Sequence, residues 1–234
     1  MGGQWGKEED NKRAADGRVG FRLPPKGSLA PNGPDDPLPY YYHPLTGWLY
    51  CGRVRRALSL LAPPYDSILE LGYGSGILLP TLAAVGRKVC GIDLESDPDR
   101  AAASLAKLGV SASLVRGDVR EMGYPEESFD LVVAISVFEH IREPSYVLEK
   151  VSRLLRKDGH LLVGMPRVDA AMQALFSLIW SGDITAHHVT DYHRFLSAAA
   201  IRFKLIRFAT LPRWAPPFAG LYFSMLLRRA DVEG

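Results

Sequence analysis

Cysteine is scarce in this chain, and long apolar runs are missing. Two cysteines, Cys51 and Cys90, occur among 234 residues, too few for the disulfide framework of a small secreted domain. No run of about 18 apolar residues, the length that a membrane-spanning helix needs, occurs anywhere. The first residues also lack the apolar core of a signal peptide. These absences favour a cytoplasmic location over a secreted or membrane-spanning one.

A strong excess of charge of either sign is also missing. The formal net charge is +2, which disfavours nucleic acid as a partner. Locally, residues 192–230 contain seven Lys or Arg and no acid, interleaved with aromatic residues. That pattern is compatible with a peripheral membrane contact or a lipid-like ligand, although charges that alternate along edge strands usually form a solvated face. The sequence does not indicate an oligomeric state.

Composition divides the chain into three parts. Residues 1–38 are dominated by Gly, Pro and charged residues, which predicts a disordered tail. Residues 39–66 contain three consecutive tyrosines at 40–42, and then apolar residues at a spacing that predicts a helix over 48–61. Residues 67–230 predict a single domain, because the chain is 47% apolar and nothing marks a second one.

A short apolar strand runs into three glycines. The segment Ile68–Gly76 reads ILELGYGSG, and its glycines, Gly72, Gly74 and Gly76, let the backbone turn sharply and approach a ligand. A dinucleotide fingerprint requires its third glycine at the position of Ile77, so the spacing disfavours NAD. Glu70 at the end of the strand would repel a pyrophosphate and attract an ammonium or sulfonium cation, both of which S-adenosylmethionine carries.

Further strands end in acids at the places that this interpretation requires. The second apolar strand, predicted over 88–92, ends at Asp93, where a carboxylate can accept hydrogen bonds from both ribose hydroxyls. A third strand over 112–116 leads to Asp118. The run 131–135 is apolar on both faces, which is typical of a buried parallel strand.

Taken in order, these segments resemble the class I S-adenosylmethionine-dependent methyltransferases, especially the small-molecule group that includes the quinone-biosynthesis enzymes. The resemblance covers residues 67–166 and is carried by ELGYGSG at 70–76, GID at 91–93, GDV at 117–119, SFDLVVAISVFEHI at 128–141 and LLRKDGHLLV at 154–163. It implies an α/β fold, with a Rossmann-like, seven-stranded, mostly parallel sheet, an antiparallel C-terminal edge hairpin and helices on both faces. It also implies S-adenosylmethionine as the cofactor and methyl transfer to an O, N or C atom of a small acceptor.

The same resemblance implies which residues contact the cofactor. Glu70 and the glycine loop would hold the methionine end, Asp93 the ribose and Asp118 the adenine amino group, with Val119 against the ring. The complete implied set is Glu70, Gly72, Tyr73, Gly74, Gly76, Asp93, Leu94, Asp118, Val119, Ser136 and Val137. Tyr73 departs from the small residue or cysteine common in this family, so its side chain must point away from the cofactor or cover it.

Two predictions concern the elements after the fourth strand. Apolar spacing predicts a helix over 145–156, with Ser145 as its N-cap and Gly159 as its C-terminal stop. The segments 203–211 and 221–227 predict the two terminal strands of the edge hairpin.

The acceptor is expected to meet residues that the cofactor does not use. Residues 168–195 form an insertion that is apolar first and then rich in histidine, and residues 39–66 are expected to cover the cleft as the N-terminal helix of the family does. An acceptor with an apolar part follows from these aromatic and aliphatic residues. Candidate general bases are His140, His188 and His193, although ordinary loop or core histidines are the simpler alternative. Their spacing matches no zinc template, so no metal site is predicted.

Two alternatives from other functional classes stay open. A nucleotide-dependent oxidoreductase could use a similar sheet, although Ile77 and Glu70 disfavour NAD(P). A methyltransferase-like subunit could bind the cofactor, or nothing, and serve as a non-catalytic partner.

Overall fold

A seven-stranded sheet forms the centre of the protein. The computed structural model describes residues 19–33, 36–167, 189–214 and 219–230. The strands are β1 (Tyr65–Leu71), β2 (Gly86–Asp93), β3 (Ser113–Arg116), β4 (Phe129–Ile135), β5 (Leu155–Pro166), β6 (Phe203–Leu211) and β7 (Tyr222–Arg229). Their order in the sheet is β3-β2-β1-β4-β5-β7-β6. All neighbouring pairs are parallel except those of β7, which runs antiparallel to both β5 and β6. The predicted fold class is confirmed.

The strand order reverses between β1 and β4. From β1 the chain first builds outward to β2 and β3, and then returns to place β4 on the other side of β1. Leu71 at the end of β1 pairs with Ile92 of β2 and with Ala134 of β4, so the three strands end side by side. In open α/β sheets, ligands bind beyond the carboxyl ends of the strands at such a switch point.

Helices cover both faces of the sheet. They are α1 (Leu38–Tyr41), α2 (Gly47–Leu58), α3 (Leu79–Ala83), α4 (Pro98–Ala106), α5 (Pro144–Leu154) and α6 (Tyr192–Ala199). Strand β1 divides its side chains between two cores: Ile68 packs with α2 and α3, and Leu69 packs with α5 and α6. Burial on both faces explains why β1 and β4 are apolar runs rather than alternating patterns. No helix within the described ranges is long and apolar enough to cross a membrane.

Several predicted boundaries need correction. Helix α2 ends at Leu58, three residues before the predicted end at 61. Helix α5 begins at Pro144, whose fixed φ suits a first helical position, so Ser145 is not its N-cap. Gly159 is not a helix stop, because α5 ends at Leu154 and Gly159 lies inside β5. A side chain at Gly159 would approach the Arg156 carbonyl to 2.8 Å, which explains a glycine there.

The predicted disordered tail over 1–38 is wrong for residues 19–33 and 36–38. Val19, Phe21 and Leu29 are each 6% exposed and belong to the core that α2 and α3 share. The Arg22 N–H donates to the Thr81 hydroxyl at 2.9 Å, which ties the segment to α3. Composition misled the prediction because these few apolar residues dock singly on a surface that already exists. Residues 1–18 lie outside the described residues.

Candidate active site

The glycine loop has the conformation that its composition predicts. Gly72, Gly74 and Gly76 all take positive φ, at 72°, 52° and 80°, a region that costs other residues energy. A Cβ atom on Gly72 would lie 2.7 Å from Cγ2 of Val137. The glycine loop and the turn after β4 therefore pack directly against each other, at the switch point of the sheet.

Glu70, the next-to-last residue of β1, carries a buried carboxyl with spare hydrogen-bonding capacity. It is 5% exposed, and its Oε2 atom has no hydrogen-bond partner. Burial, and then the negative charge of Asp93, raise the pKa of Glu70 well above the usual range. A cation bound beside Glu70 would reverse this shift and satisfy the free oxygen, so the carboxyl fits an ammonium or sulfonium group.

Asp93 connects the glycine loop to the loop after β2. Its Oδ2 atom accepts the N–H of Gly74 at 2.9 Å. Its Oδ1 atom accepts the N–H groups of Glu95 and Ser96 at 3.0 and 2.9 Å. An ionised carboxylate offers about four acceptor positions, so a position for a ligand hydroxyl stays free. Leu94 beside it is 58% exposed, and its side chain is available to a ligand.

Asp118 follows β3 and caps the short 3-10 helix Val119–Glu121. It accepts the N–H of Arg120 at 2.7 Å and forms an ion pair with the Arg120 guanidinium. The side-chain hydrogen bond from the Arg120 guanidinium, together with the main-chain hydrogen bond, holds the pKa of Asp118 below its usual range. Asp118 is therefore an ionised acceptor already engaged by its neighbour, and an adenine amino group would share or displace the Arg120 contact.

The side chain of Tyr73 is enclosed by protein. It is 2% exposed, and its hydroxyl donates to the Ser96 carbonyl at 3.4 Å. A Cβ atom on Gly91 would lie 2.9 Å from the Tyr73 ring, so glycine in β2 provides the space. Of the two sequence-based options, pointing away from the cofactor fits this packing. A cofactor contact by Tyr73 would come from its main chain.

Asn32 is a site residue that sequence reasoning missed. Its side-chain amide donates to the carbonyls of Gly74 at 3.1 Å and Asp97 at 2.9 Å, and its side-chain oxygen accepts the Asp97 N–H at 3.0 Å. The Asn32 carbonyl accepts the Ser96 hydroxyl at 2.8 Å. Asn32 is 4% exposed. It joins the glycine loop to the loop after Asp93 from a segment that carries no recognisable motif.

A second set of residues that the sequence analysis did not predict, Arg53 and Tyr222, surrounds Ser136 at the carboxyl end of β4. Ser136 takes a φ of 58°, uncommon for a residue with a side chain. Its hydroxyl accepts a hydrogen bond from Arg53 at 3.2 Å and lies 3.0 Å from the Tyr222 hydroxyl. Gly164 makes room for Tyr222, since a Cβ there would lie 2.6 Å from the Tyr222 hydroxyl. These residues come from α2, β4, β5 and β7, and therefore show no pattern in the sequence.

Glu139 lies behind Ser136 and is 1% exposed. Its carboxyl accepts hydrogen bonds from the Ser136 hydroxyl and from its own main-chain N–H, and its Oε2 atom has no partner. Burial raises the pKa of Glu139 to about 7, although Arg53 and these hydrogen bonds oppose the shift. The turn therefore contains a carboxyl that can exchange a proton near neutral pH.

The histidine candidates have different positions. His140, at the end of the 3-10 helix Phe138–His140, is exposed. His193 on α6 is also exposed, and its ring lies 3.9 Å from that of Tyr192. Residues 168–188 of the predicted acceptor insertion, including His188, lie outside the described residues. Residues 189 and 190 run beside the site, because their N–H groups donate to the Glu139 carbonyl.

Part of this chain is similar in sequence to known methyltransferases. Residues 69–163 match a family described as "Methyltransferase domain". A phosphatidylethanolamine N-methyltransferase from Cereibacter sphaeroides is 33% identical over 41% of this chain and 48% of that protein. A ubiquinone biosynthesis O-methyltransferase from Bradyrhizobium diazoefficiens is 30% identical over 59% of this chain and 54% of that protein. The matched region spans about half the length of these two curated relatives.

Solved structures show the same fold. The N-methyltransferase NodS from Bradyrhizobium japonicum, in complex with S-adenosyl-L-homocysteine, superposes with a TM-score of 0.61 at 19% identity, over 84% of this chain and 93% of that one. At this identity the likeness concerns the fold. The sequence match and the sheet agree with the resemblance that the motifs carry: residues 69–163 match the methyltransferase-domain family, and the seven-stranded sheet has the Rossmann-like fold of the solved methyltransferases.

Proposed function

We propose that this protein transfers a methyl group from S-adenosylmethionine to an O, N or C atom of a small acceptor with an apolar part. One observation carries the proposal: the buried Glu70 carboxyl, whose Oε2 atom has no hydrogen-bond partner, lies near the end of β1, beside a glycine loop that Asp93 fixes. This combination suits a ligand with a cationic amino-acid end and a ribose. The family match and the donor product bound to NodS support the same cofactor.

The residues present fit this cofactor. Glu70 would hold the cationic methionine end, Gly72, Gly74 and Gly76 would let the main chain approach it, and Asp93 would accept from the ribose hydroxyls. The adenosine would be bound by Leu94, Asp118 and Val119. The methyl-donor side would be bordered by Ser136 and Val137, and Tyr73 would contribute main-chain groups. When bound, the cofactor supplies an electrophilic methyl group.

The protein's contribution to catalysis would be alignment and exclusion of water. Holding a nucleophile in line with the methyl group is worth up to about 7–11 kcal/mol. An oxygen or acidic carbon acceptor also needs a group that takes its proton. His140, His188 and His193 are the candidates from sequence, and Glu139 joins them because its pKa of about 7 suits proton exchange at neutral pH.

An apolar part of the acceptor fits the surroundings of Ser136. The rings of Tyr40 and Tyr41 lie 5.3 and 5.4 Å from that of Tyr50, which forms an aromatic wall between α1 and α2. Leu45 and Trp48 beside it are 75% and 61% exposed. The lipid named in the Cereibacter relative is compatible with a lipid-like acceptor and with peripheral membrane contact.

Calorimetry followed by an acceptor screen tests the proposal. S-adenosylmethionine, S-adenosylhomocysteine and NAD would be titrated into the protein, which would then be incubated with methyl-labelled donor and paired polar and apolar acceptors. Donor binding with labelled product supports the proposal. Donor binding without product would favour the non-catalytic partner, and NAD binding alone would favour the oxidoreductase. If the best acceptor were small and fully polar, the acceptor class would be wrong.

A further inference from the structure

Arg53 on α2 extends to the carboxyl end of β4 and is held there among tyrosines. Its guanidinium donates to the Ser136 hydroxyl at 3.2 Å and to the Tyr41 hydroxyl at 3.3 Å. The guanidinium carbon lies 4.2 Å from the centre of the Tyr50 ring and 5.8 Å from that of Tyr222. Such contacts orient the plane of the cation.

The charge of Arg53 has no matching carboxylate in direct contact. In the described part of the chain, none of the ion pairs includes Arg53. Burial lowers the pKa of Arg53, but its interactions with Tyr41 and Tyr222 outweigh this effect, so the group stays charged. Glu139 interacts with it electrostatically without an ion pair, and burial raises the pKa of that carboxyl to about 7.

One donor of this cation is free. Nε of Arg53 is buried and has no hydrogen-bond partner, whereas the residue as a whole is partly exposed. A buried donor without an acceptor is costly, and a ligand oxygen would remove that cost. The guanidinium fork matches the two oxygens of a carboxylate.

The position of Arg53 favours the acceptor over the methyl donor. Glu70, which would hold the methionine end, responds to the charge of Asp93, whereas Arg53 acts on Glu139. Arg53 also contacts Tyr222 of β7, on the far side of β5 from β4. The cation therefore lies beyond Ser136, away from the Asp93 side of the cleft.

We propose that Arg53, framed by Tyr41 and Tyr50, recognises a carboxylate on the methyl acceptor. The acceptor would then be an aromatic or aliphatic acid, with its apolar part against the tyrosine rings and its carboxylate on the guanidinium. This inference rests on the proposed function and narrows its substrate class.

Matched acids and amides test the inference without a known acceptor. The probes are 2-naphthoate against 2-naphthamide, and octanoate against octanamide, titrated into the full chain saturated with S-adenosylhomocysteine. At least one acid should bind about tenfold more tightly than its amide, since charge-assisted bonds to a guanidinium are strong. Arg53→Gln should bring that ratio close to one, and Arg53→Lys should restore part of it. The exposed neighbour Arg55 provides the control, Arg55→Gln, which should leave the ratio unchanged.

Donor binding separates this inference from the proposed function. S-adenosylhomocysteine should bind Arg53→Gln as it binds the wild type, and circular dichroism should show the same fold. If Arg53→Gln weakened S-adenosylhomocysteine but not 5′-methylthioadenosine, Arg53 would hold the donor's carboxylate and the inference would be overturned. Equal binding of acids and amides to the wild type would overturn it too. A wild type that bound no donor product would refute the proposed function, and the acid-to-amide ratio would still be measurable on the unliganded protein.

Discussion

The side-chain amide of Asn32 donates a hydrogen bond of 3.1 Å to the main-chain carbonyl of Gly74, the central glycine of the loop after β1. Its second donor reaches the carbonyl of Asp97 at 2.9 Å. Asn32 thus fixes two loops that the carboxylate of Asp93 and the hydroxyl of Tyr73 also connect. An N-terminal residue, 42 positions from Gly74, is therefore part of the support of the cofactor site.

Asn32→Ala should weaken donor binding more than it weakens the fold. The substitution removes the hydrogen bonds that Asn32 makes to the Gly74 carbonyl and the Asp97 N–H, at a cost of about 1–3 kcal/mol for each group that stays buried, whereas the Asp97 carbonyl keeps the N–H of Ala101. Calorimetry with S-adenosylhomocysteine should therefore show affinity reduced by about tenfold or more. Ser28→Ala, in the same segment, removes an exposed hydroxyl and is the control. Unchanged affinity in Asn32→Ala would show that the contact does not support the site.

Two N-terminal deletions should differ in stability. Removing residues 1–37 deletes Val19, Phe21 and Leu29 from the core, and each such side chain contributes about 1.5–3 kcal/mol when buried. The melting temperature should fall by more than about 5 °C. For residues 1–18 the composition still predicts a dispensable tail, so their deletion should leave the melting temperature unchanged. Equal melting temperatures for both deletions would mean that the packed segment adds no stability.

Asp93→Ala should weaken donor binding while the chain remains folded. The variant loses the carboxylate that would accept from the ribose, and hydrogen bonds to a charged group contribute about 1.5–3 kcal/mol. It also releases the N–H groups of Gly74 and Ser96. Asp93→Asn keeps the shape and an acceptor oxygen, and should lose less affinity. Calorimetry of both variants, with circular dichroism for the fold, checks the order.

Gly74→Val should also weaken donor binding, for a different reason. Gly74 has a φ of 52°, which a β-branched residue strongly disfavours. A Cβ atom there has no protein atom closer than 3.8 Å, so any direct obstruction would affect the ligand rather than the fold. Unchanged affinity in both Gly74→Val and Asp93→Ala would refute the cofactor assignment.

Residues in contiguous motifs could be predicted from the sequence, and residues brought together by folding could not. Glu70, Gly72 and Asp93 carry local signals, because a strand end, a tight turn and a spaced acid are each readable along the chain. Asn32 and Arg53 carry no such local signal. Asn32 lies in an irregular segment, and Arg53 is one of several cations on an amphipathic helix. The prediction of a helix stop at Gly159 is wrong because glycine ends helices and also relieves crowding in strands, and the sequence does not distinguish these uses.

Glu139→Gln should remove a pH dependence from the free energy of unfolding. Arg53, Ser136 and Tyr222 interact with the Glu139 carboxyl, whose pKa is about 7 in the folded protein against 4.5 for an unperturbed glutamate. Because the folded pKa is raised, the neutral carboxyl contributes stability that is complete below pH 4.5 and lost as pH rises through about 7. Denaturant titrations at pH 5 and pH 8 should show a wild-type loss, relative to the variant, on the order of 3 kcal/mol. Parallel curves for the two proteins would show that Glu139 ionises normally.

Acceptor choice should depend on the aromatic wall of Tyr40, Tyr41 and Tyr50 and on the insertion at 168–195, while donor binding should not. Tyr50→Leu removes the ring beneath Arg53 and the contacts with Tyr40 and Tyr41, so the Michaelis constant for the acceptor should rise several-fold. Phe176→Ala and Trp180→Ala, although outside the described residues, should act in the same direction because their segment supplies apolar side chains. Tyr146→Ala is the control, since that ring is 52% exposed on α5 and packs on Lys150.

The general base is tested by three further variants, His140→Gln, His188→Gln and His193→Gln. Losing the base should lower turnover without changing the donor's dissociation constant, which distinguishes a role in proton transfer from a role in alignment. If all of these variants left acceptor kinetics unchanged, the acceptor would have to bind away from Ser136 and Tyr50, and the insertion would not select it.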